Sequence, residues 1–386
     1  MNRFFLLLSC CFLMAAQGLA APLFQPGSGV VAFTAYKPFA DRPVNIYYHF
    51  PETADPATAQ VLMLIPGAGR DAKPLLDAVR DKLDAVNVIA FSLEFPADTY
   101  PVREYQEVGI RDKDGRLKKA ADRTVQLPDR IFEFIKAHSA IQAARYDMIG
   151  HSAGGQFIHR FLLFHDSPYV DRAVVGAPGW FTFPDPSQPY PYGLKDTDRA
   201  SDEVIARFLG KKMILQVGAL DTDRGGVLRK TPEADAQGIN RLDRARTFFA
   251  YLRKEAQRLA VPFSWTYCEV PGVGHNSGQM AVYAMETLYC PGAGNSVFDV
   301  YRPTLRWHPR FPSGMRRQPT GSTATTRRWR RSARRHRRRR RVTYCCWAVR
   351  PLSFGIPWPK TSRRSRRSAA ATGAPHSAIS SCISTG

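Results

Sequence analysis

The stretch Tyr146-Asp147-Met148-Ile149-Gly150-His151-Ser152-Ala153-Gly154-Gly155 constrains this chain more than any other. A short apolar strand runs into Gly-x-Ser-x-Gly and then into the amphipathic segment Gln156 to His165. A serine at the tip of a sharp strand-to-helix turn needs residues at minus two and plus two that bring no Cβ, and Gly150 and Gly154 stand there. The N–H of Ala153, at the start of the helix, would face an oxyanion developing beside the serine, and the helix N-terminus adds favourable partial charge. Five residues of this kind also make ordinary turns. The strand before and the helix after are what mark Ser152 as a candidate nucleophile.

The flanking sequence supplies a matching scaffold. Val30 to Tyr36 and Val44 to Phe50 read as a leading antiparallel pair, while Val61 to Ile65 and Val88 to Phe91 are short, almost wholly apolar runs. Such runs suit strands buried on both faces of a parallel sheet. Leu75, Leu76, Val79 and Leu83 recur at helical spacing between them, and a second helix near Val125 to His138 leads into the Ser152 strand. Beyond it lie strand candidates at Ala173 to Val175, Met213 to Val217 and Phe263 to Val270, with a helix over about Ile239 to Leu259. This alternation predicts an α/β fold: a doubly wound, mostly parallel sheet with helices on both faces. Two connections, 94–124 and 178–202, exceed a routine loop and are expected as insertions at the end of the sheet where Ser152 sits. Asp112 to Arg116 reads as a hairpin turn within the first.

A serine hydroxyl needs a base, and the base needs a carboxylate to fix its tautomer. Of the histidines before residue 300, His49 and His138 precede the turn, His151 is inside it, and His159 and His165 lie on the following helix. Only His275 occupies a late loop, Pro271 to Ser277, between a strand and a helix, which makes it the candidate base. For the acid, Val217-Gly218-Ala219-Leu220-Asp221-Thr222-Asp223 follows the next-to-last strand; Asp221 is the first choice and Asp223 the alternative. A second oxyanion donor is expected from the loop Pro66-Gly67-Ala68-Gly69-Arg70 after the first parallel strand: the N–H of Ala68, or that of Gly69. Arg70 suits either an anionic substrate group or a bracing role in that loop. The aromatic segment Trp180 to Tyr192 suggests an apolar or aromatic substrate surface built on Trp180 and Tyr192, although such rings are equally core material.

The order Ser152, Asp221, His275, with an oxyanion loop at Ala68, resembles the α/β-hydrolase superfamily over roughly residues 30 to 292. Within it the chain looks most like exported bacterial esterases of the polyester depolymerase and dienelactone hydrolase type. That resemblance implies a serine esterase acting on a small or polymeric ester through an acyl-enzyme, without cofactor or metal, in a chain expected to be monomeric. One departure is Pro66-Gly67, where many members carry His-Gly. A serine peptidase or thioesterase of the same fold, or a non-catalytic binding protein on this scaffold, are the alternatives. Neither a phosphate-binding loop nor a dinucleotide fingerprint or metal-ligand cluster is present in the sequence.

Composition enters at the two ends. Asn2-Arg3, the apolar run Phe4 to Ala16 and the small residues of Gly18-Leu19-Ala20 read as a signal peptide cut after Ala20, so that residues 1–20 leave a secreted or periplasmic protein. Export permits a disulfide, and Cys268 with Cys290 is the expected pair in the region that follows. All 33 acidic residues and 33 of the 55 basic ones fall before residue 301, so the net charge of +22 resides wholly in the last segment. There the basic residues are arginine except for Lys360, and runs such as Arg337 to Arg341 stand without any acid. Such a segment cannot bury a core of its own and is expected to be disordered. As genuine protein it would form an arm for nucleic acid or an anionic surface. The abrupt change better fits a shifted reading frame in a GC-rich gene. The expected organisation is thus a leader at 1–20, a catalytic domain at 21–295 and an Arg-rich tail at 296–386.

Overall fold

A computed structural model of the chain describes residues 22–290. The expected leader and the Arg-rich segment lie outside the described residues. Eight strands form one sheet: β1 (Gly27–Phe33), β2 (Val44–Phe50), β3 (Gln60–Ile65), β4 (Val88–Glu94), β5 (Tyr146–His151), β6 (Val170–Gly176), β7 (Met213–Gly218) and β8 (Trp265–Val270), in the order β1-β2-β4-β3-β5-β6-β7-β8. β1 and β2 pair antiparallel and β2 joins β4 antiparallel; every pairing from β4 onward is parallel. The helices are α1 (Ala72–Asp77), α2 (Arg80–Leu83), α3 (Val102–Tyr105), α4 (Leu127–Ala137), α5 (Ala153–Phe164), α6 (Asp202–Leu209), α7 (Pro232–Ala236), α8 (Arg241–Leu259) and α9 (Ser277–Tyr289).

The alternation of side chains along each strand divides the core in two. Val61, Met63 and Ile65 of β3 join Met148 of β5 and Leu215 of β7 in the larger layer, packed against α4, α5, α6 and α8. Leu62 and Leu64, with Ile149 and Val174, face the other way onto α1, α2 and α9. Both faces of the central strands are therefore dry, which is why those runs carry no polar alternation. In α8, Ala245, Phe248, Leu252 and Ala256 recur at helical spacing on the buried side. The helix starts where Asn240 Oδ1 accepts from the Asp243 N–H at 2.8 Å, and stops at Ala260 in a left-handed conformation. The helical repeat of Leu75 to Leu83 is split into α1 and α2 at Val79, so one expected helix is two short ones.

The two long connections pack into the domain and brace each other. The first sends Tyr100, Tyr105, Val108 and Ile110 into the core and forms the expected hairpin, with Asp112 N–H donating to Arg116 O and Arg111 bridging Leu117. The second stacks Phe181 on Phe248 of α8 with ring centroids 4.2 Å apart. Between them, Tyr190 Oη donates to Glu107 O at 2.5 Å and Arg123 pairs with Asp198 at 2.8 Å.

The expected Cys268–Cys290 bridge is not formed, and both residues are free thiols. Cys268 packs on β8 against Val270, Val273 and Met280, at the first turn of α9, whereas Cys290 caps the far end of that helix. Ten residues of α-helix span about 15 Å. A disulfide requires Cα atoms within about 7 Å.

Candidate active site

Ser152 sits between β5 and α5 at φ 57° and ψ −114°, a conformation few side-chain-bearing residues adopt. Its N–H donates to Gly176 O at 2.8 Å, which ties the turn to β6. The close approach explains the glycines. A Cβ on Gly150 would come within 2.6 Å of the Gly154 backbone, and one on Gly154 would meet Ile65 O at 1.9 Å. Neither neighbour is the flexible end of a side chain, so the strained turn is held by the ends of β3, β5 and β6 together.

The base and the acid arrive on the two neighbouring strand exits. Past β7, Ala219 N–H donates to Val270 O and Leu220 N–H to Val273 O, each at 2.9 Å, so the acid loop is hydrogen-bonded to the histidine loop after β8. Asp221 then lies 1% exposed, with Oδ2 2.7 Å from His275 Nδ1. His275 Nε2 is 3.0 Å from Ser152 Oγ. Ser152, Asp221 and His275 are thus one connected chain of hydrogen bonds. Asp223 is not part of it: its Oδ1 accepts the Gly225 N–H at 2.8 Å within its own loop.

The loop after β3 also reaches the serine. A Cβ built on Gly67 would be 3.8 Å from Ser152 Cβ, which places Gly67 beside the serine. Ala153 opens α5, and its N–H has no acceptor within the helix. Of the two expected oxyanion positions, Ala153 follows Ser152 directly at the helix start, and Ala68 follows Gly67 in the loop beside it. Arg70 does not face outward. It is 6% exposed, with Nε donating to Phe95 O, Nη1 to Ala68 O and Nη2 to Tyr100 O at 3.0–3.1 Å.

Trp180 and Tyr192 differ in their placement. Trp180 is 2% exposed, its ring covered by the guanidinium groups of Arg160 at 3.9 Å and Arg229 at 4.1 Å. It is a packed anchor of its loop. Tyr192 is half-buried, 5.1 Å from Trp180 between ring centroids, and its hydroxyl is 2.6 Å from Thr231 Oγ1.

Two further residues lie against these groups. Arg241, the first residue of α8, brings Nη1 to 3.6 Å from Asp221 Oδ1, an atom with no hydrogen-bond partner. Burial lowers the Arg241 pKa, and the Asp221 carboxylate opposes that shift. His151 lies beneath His275 with ring centroids 4.4 Å apart. Burial, reinforced by His275 and Arg241, pushes its pKa well below the usual histidine range, so it is neutral at pH 7. The place of His151 next to Ser152 was visible in the sequence; Arg241 carried no motif. Among the described residues no group of three or more His, Cys, Asp or Glu is placed to hold a metal ion, and no helix is long and apolar enough to cross a membrane.

No protein-family model matches the chain, and no curated protein matches it. Among solved structures it is similar to poly(aspartic acid) hydrolase-1 from Sphingomonas sp. KT-1, with 32% sequence identity and a TM-score of 0.65 over 68% of this chain and 98% of that one. The fold is also that of a poly(3-hydroxybutyrate) depolymerase from Bordetella parapertussis, at 24% identity and a TM-score of 0.66, covering 69% of this chain and 90% of that one.

Proposed function

The chain belongs to the α/β-hydrolase superfamily, and on that premise we propose that residues 21–295 form an exported serine hydrolase that cleaves carboxylic esters through Ser152, His275 and Asp221. The observation that carries this reading is the unbroken relay from Asp221 Oδ2 through His275 to Ser152 Oγ, at 2.7 and 3.0 Å. In the tautomer the relay requires, His275 Nδ1–H donates to Asp221 and Nε2 accepts the serine proton.

The reaction runs in two halves. Ser152 Oγ forms a bond to the ester carbonyl carbon as its proton passes to His275 Nε2, and the negative oxygen so created is held by the N–H groups of Ala68 and Ala153. The tetrahedral centre collapses, the bond to the alcohol oxygen breaks, and His275 returns the proton to that leaving group. Water, deprotonated by His275, then attacks the acyl-Ser152 carbonyl; the acid leaves and Ser152 regains its proton. The Asp221 carboxylate accepts the His275 Nδ1–H throughout and offsets the charge on His275.

Labelling by a fluorophosphonate probe tests the reading. Wild-type protein is expected to react and Ser152→Ala not to; a folded wild type that resists the probe rejects the proposal. The name of the 32% identical relative, a hydrolase of poly(aspartic acid), favours a second reading in which the scissile carbonyl is an amide. A chain-length panel of p-nitrophenyl esters run beside poly(aspartic acid), with release of new amino groups as the readout, separates the two.

A further inference from the structure

Burying a cation is costly unless its donors are satisfied. Arg70 is such a cation, and among the described residues no carboxylate pairs with it. Its donors go to three backbone carbonyls instead, and its guanidinium carbon stands 3.7 Å from the centre of the Tyr105 ring. Tyr105 is itself fully buried, and its hydroxyl donates to Pro66 O at 2.5 Å. One of the Arg70 bonds is to Ala68 O, inside the loop beside Ser152. The two side chains, stacked on each other, therefore grip the same loop at two points on either side of the Gly67–Ala68 peptide.

We propose that Arg70 and Tyr105 are positioning residues that preset the oxyanion-binding loop, by locking the peptide carbonyls of Ala68 and Pro66 so that the loop N–H groups cannot turn. In a trans peptide the C=O and the following N–H point in opposite directions, so holding one aims the other. Tyr105 on Pro66 O fixes the Gly67 N–H. The Arg70 N–H on Gly67 O, at 3.1 Å, fixes the Ala68 N–H, and the Arg70 side chain on Ala68 O fixes that of Gly69. Donors aimed before the reaction need no reorganisation when the oxyanion appears, which is the source of their catalytic effect. The first insertion acquires a role here: it supplies both Tyr105 and the Tyr100 carbonyl that anchors Arg70. Arg70 holds a left-handed φ of 62°, which turns its side chain back under the loop it has just left. Lysine cannot substitute fully, since an ammonium on a flexible stem cannot reproduce the planar fork.

This inference rests on the reading of Ser152 as nucleophile, and the experiment separates the two. Arg70→Met, Arg70→Lys and Tyr105→Phe are assayed for kcat and KM on p-nitrophenyl acetate and for affinity to phenylboronic acid, whose tetrahedral serine adduct places an oxygen among the loop N–H groups. Arg70→Met is expected to lower kcat about tenfold to a hundredfold with KM changed less than about threefold, and to weaken the boronic acid by the same factor as kcat. Tyr105→Phe is expected to lose about threefold to tenfold in both, with Arg70→Lys between wild type and Arg70→Met. Tyr105→Phe removes one oxygen from a packed ring and carries the test where Arg70→Met does not fold. Folded variants with unchanged kcat and boronic acid affinity, or with losses in KM alone, overturn the proposal while fluorophosphonate labelling of the wild type keeps Ser152 in place. A wild type that is not labelled overturns both.

Discussion

Arg241 Nη1 stands 3.6 Å from Asp221 Oδ1, and both side chains are almost wholly buried, at 6% and 0% exposed. The carboxylate that orients His275 thus faces an imidazole on one oxygen and a guanidinium on the other. Leu242 N–H, one residue further into α8, donates to Asp221 O at 3.2 Å, so the helix start clamps both the backbone and the side chain of the acid.

Arg241→Met leaves a buried carboxylate oxygen with neither cation nor donor. Breaking a buried pair on one side costs about 3 kcal/mol. Urea denaturation is expected to register that loss, and kcat to fall roughly tenfold as Asp221 gains freedom. Equal stability and equal kcat in a folded variant would remove Arg241 from the account.

The two candidate acids are separated by a pair of amide substitutions. Asp221→Asn is expected to lower kcat on p-nitrophenyl acetate roughly ten-thousandfold by favouring the wrong histidine tautomer. Asp223→Asn, which touches only the Gly225 turn, is expected to stay within about twofold of wild type. A reversal of that order would assign the acid to Asp223.

Two buried histidines are expected to weaken the fold in acid. His159 Nδ1 is 2.9 Å from Gly155 O while Nε2 accepts the Thr182 N–H at 3.1 Å, so protonation breaks the second bond. Burial drives the pKa of His159, like that of His151, well below 6.5. Because the folded values lie below the unfolded ones, the unfolded chain takes up the protons. Stability is therefore full above about pH 6.5 and is lost as pH falls, by about 1.4 kcal/mol per pH unit for each histidine. Urea midpoints at several values between pH 7.5 and pH 5 measure the slope, and His159→Leu is expected to make it shallower than in wild type. An unchanged slope would show that these groups do not govern it.

Gly154→Ala tests the close approach of the Ser152 turn. The new methyl would meet Ile65 O at 1.9 Å, and main chain on both sides leaves nothing flexible to yield. A loss of about 3 kcal/mol is expected, with activity falling in parallel as Ser152 is displaced. Thermal melts and initial rates on the same preparation decide it; a variant of wild-type stability would contradict the packing described.

All groups of the relay, both oxyanion positions and both core layers lie within residues 22–290. A chain ending at residue 295 is therefore expected to fold cooperatively and to keep wild-type kcat on p-nitrophenyl acetate. Loss of folding or activity on removing the Arg-rich segment would show that it belongs to the enzyme.

The sheet was legible because buried parallel strands need apolar side chains on both faces, and runs such as Val61 to Ile65 and Met213 to Val217 have no other reason to be apolar throughout. β7 begins where its run begins, at Met213, and β3 one residue before its run, at Gln60. Gly150, Ser152 and Gly154 were legible because the turn imposes its demand on adjacent residues, and His275 followed from its position past the last strand. Local pattern ranked Asp221 ahead of Asp223, which follows the same strand two residues on, but gave neither a partner. The Asp221 Oδ2 to His275 Nδ1 contact distinguishes them, and the Leu220 to Val273 hydrogen bond that ties the two loops joins segments with no sequence relation.

The tertiary structure also decided what the cysteines and the basic residues near the site do. Cys268 and Cys290 fit a bridge by count and by the expected compartment, but the length of α9 keeps them apart. Arg70 and Arg241 read as charges in a sequence; their roles depend on which carbonyls and which carboxylate the fold brings within about 3 to 4 Å. Sequence by itself determined the layer architecture and brought out Ser152 and His275 as the candidate nucleophile and base, because these follow from periodicity and from steric demands within a few residues. The pairing of Asp221 with His275 and the partners of the buried Arg70 and Arg241 were decided only in three dimensions, because each depends on distances between segments that the chain itself does not record.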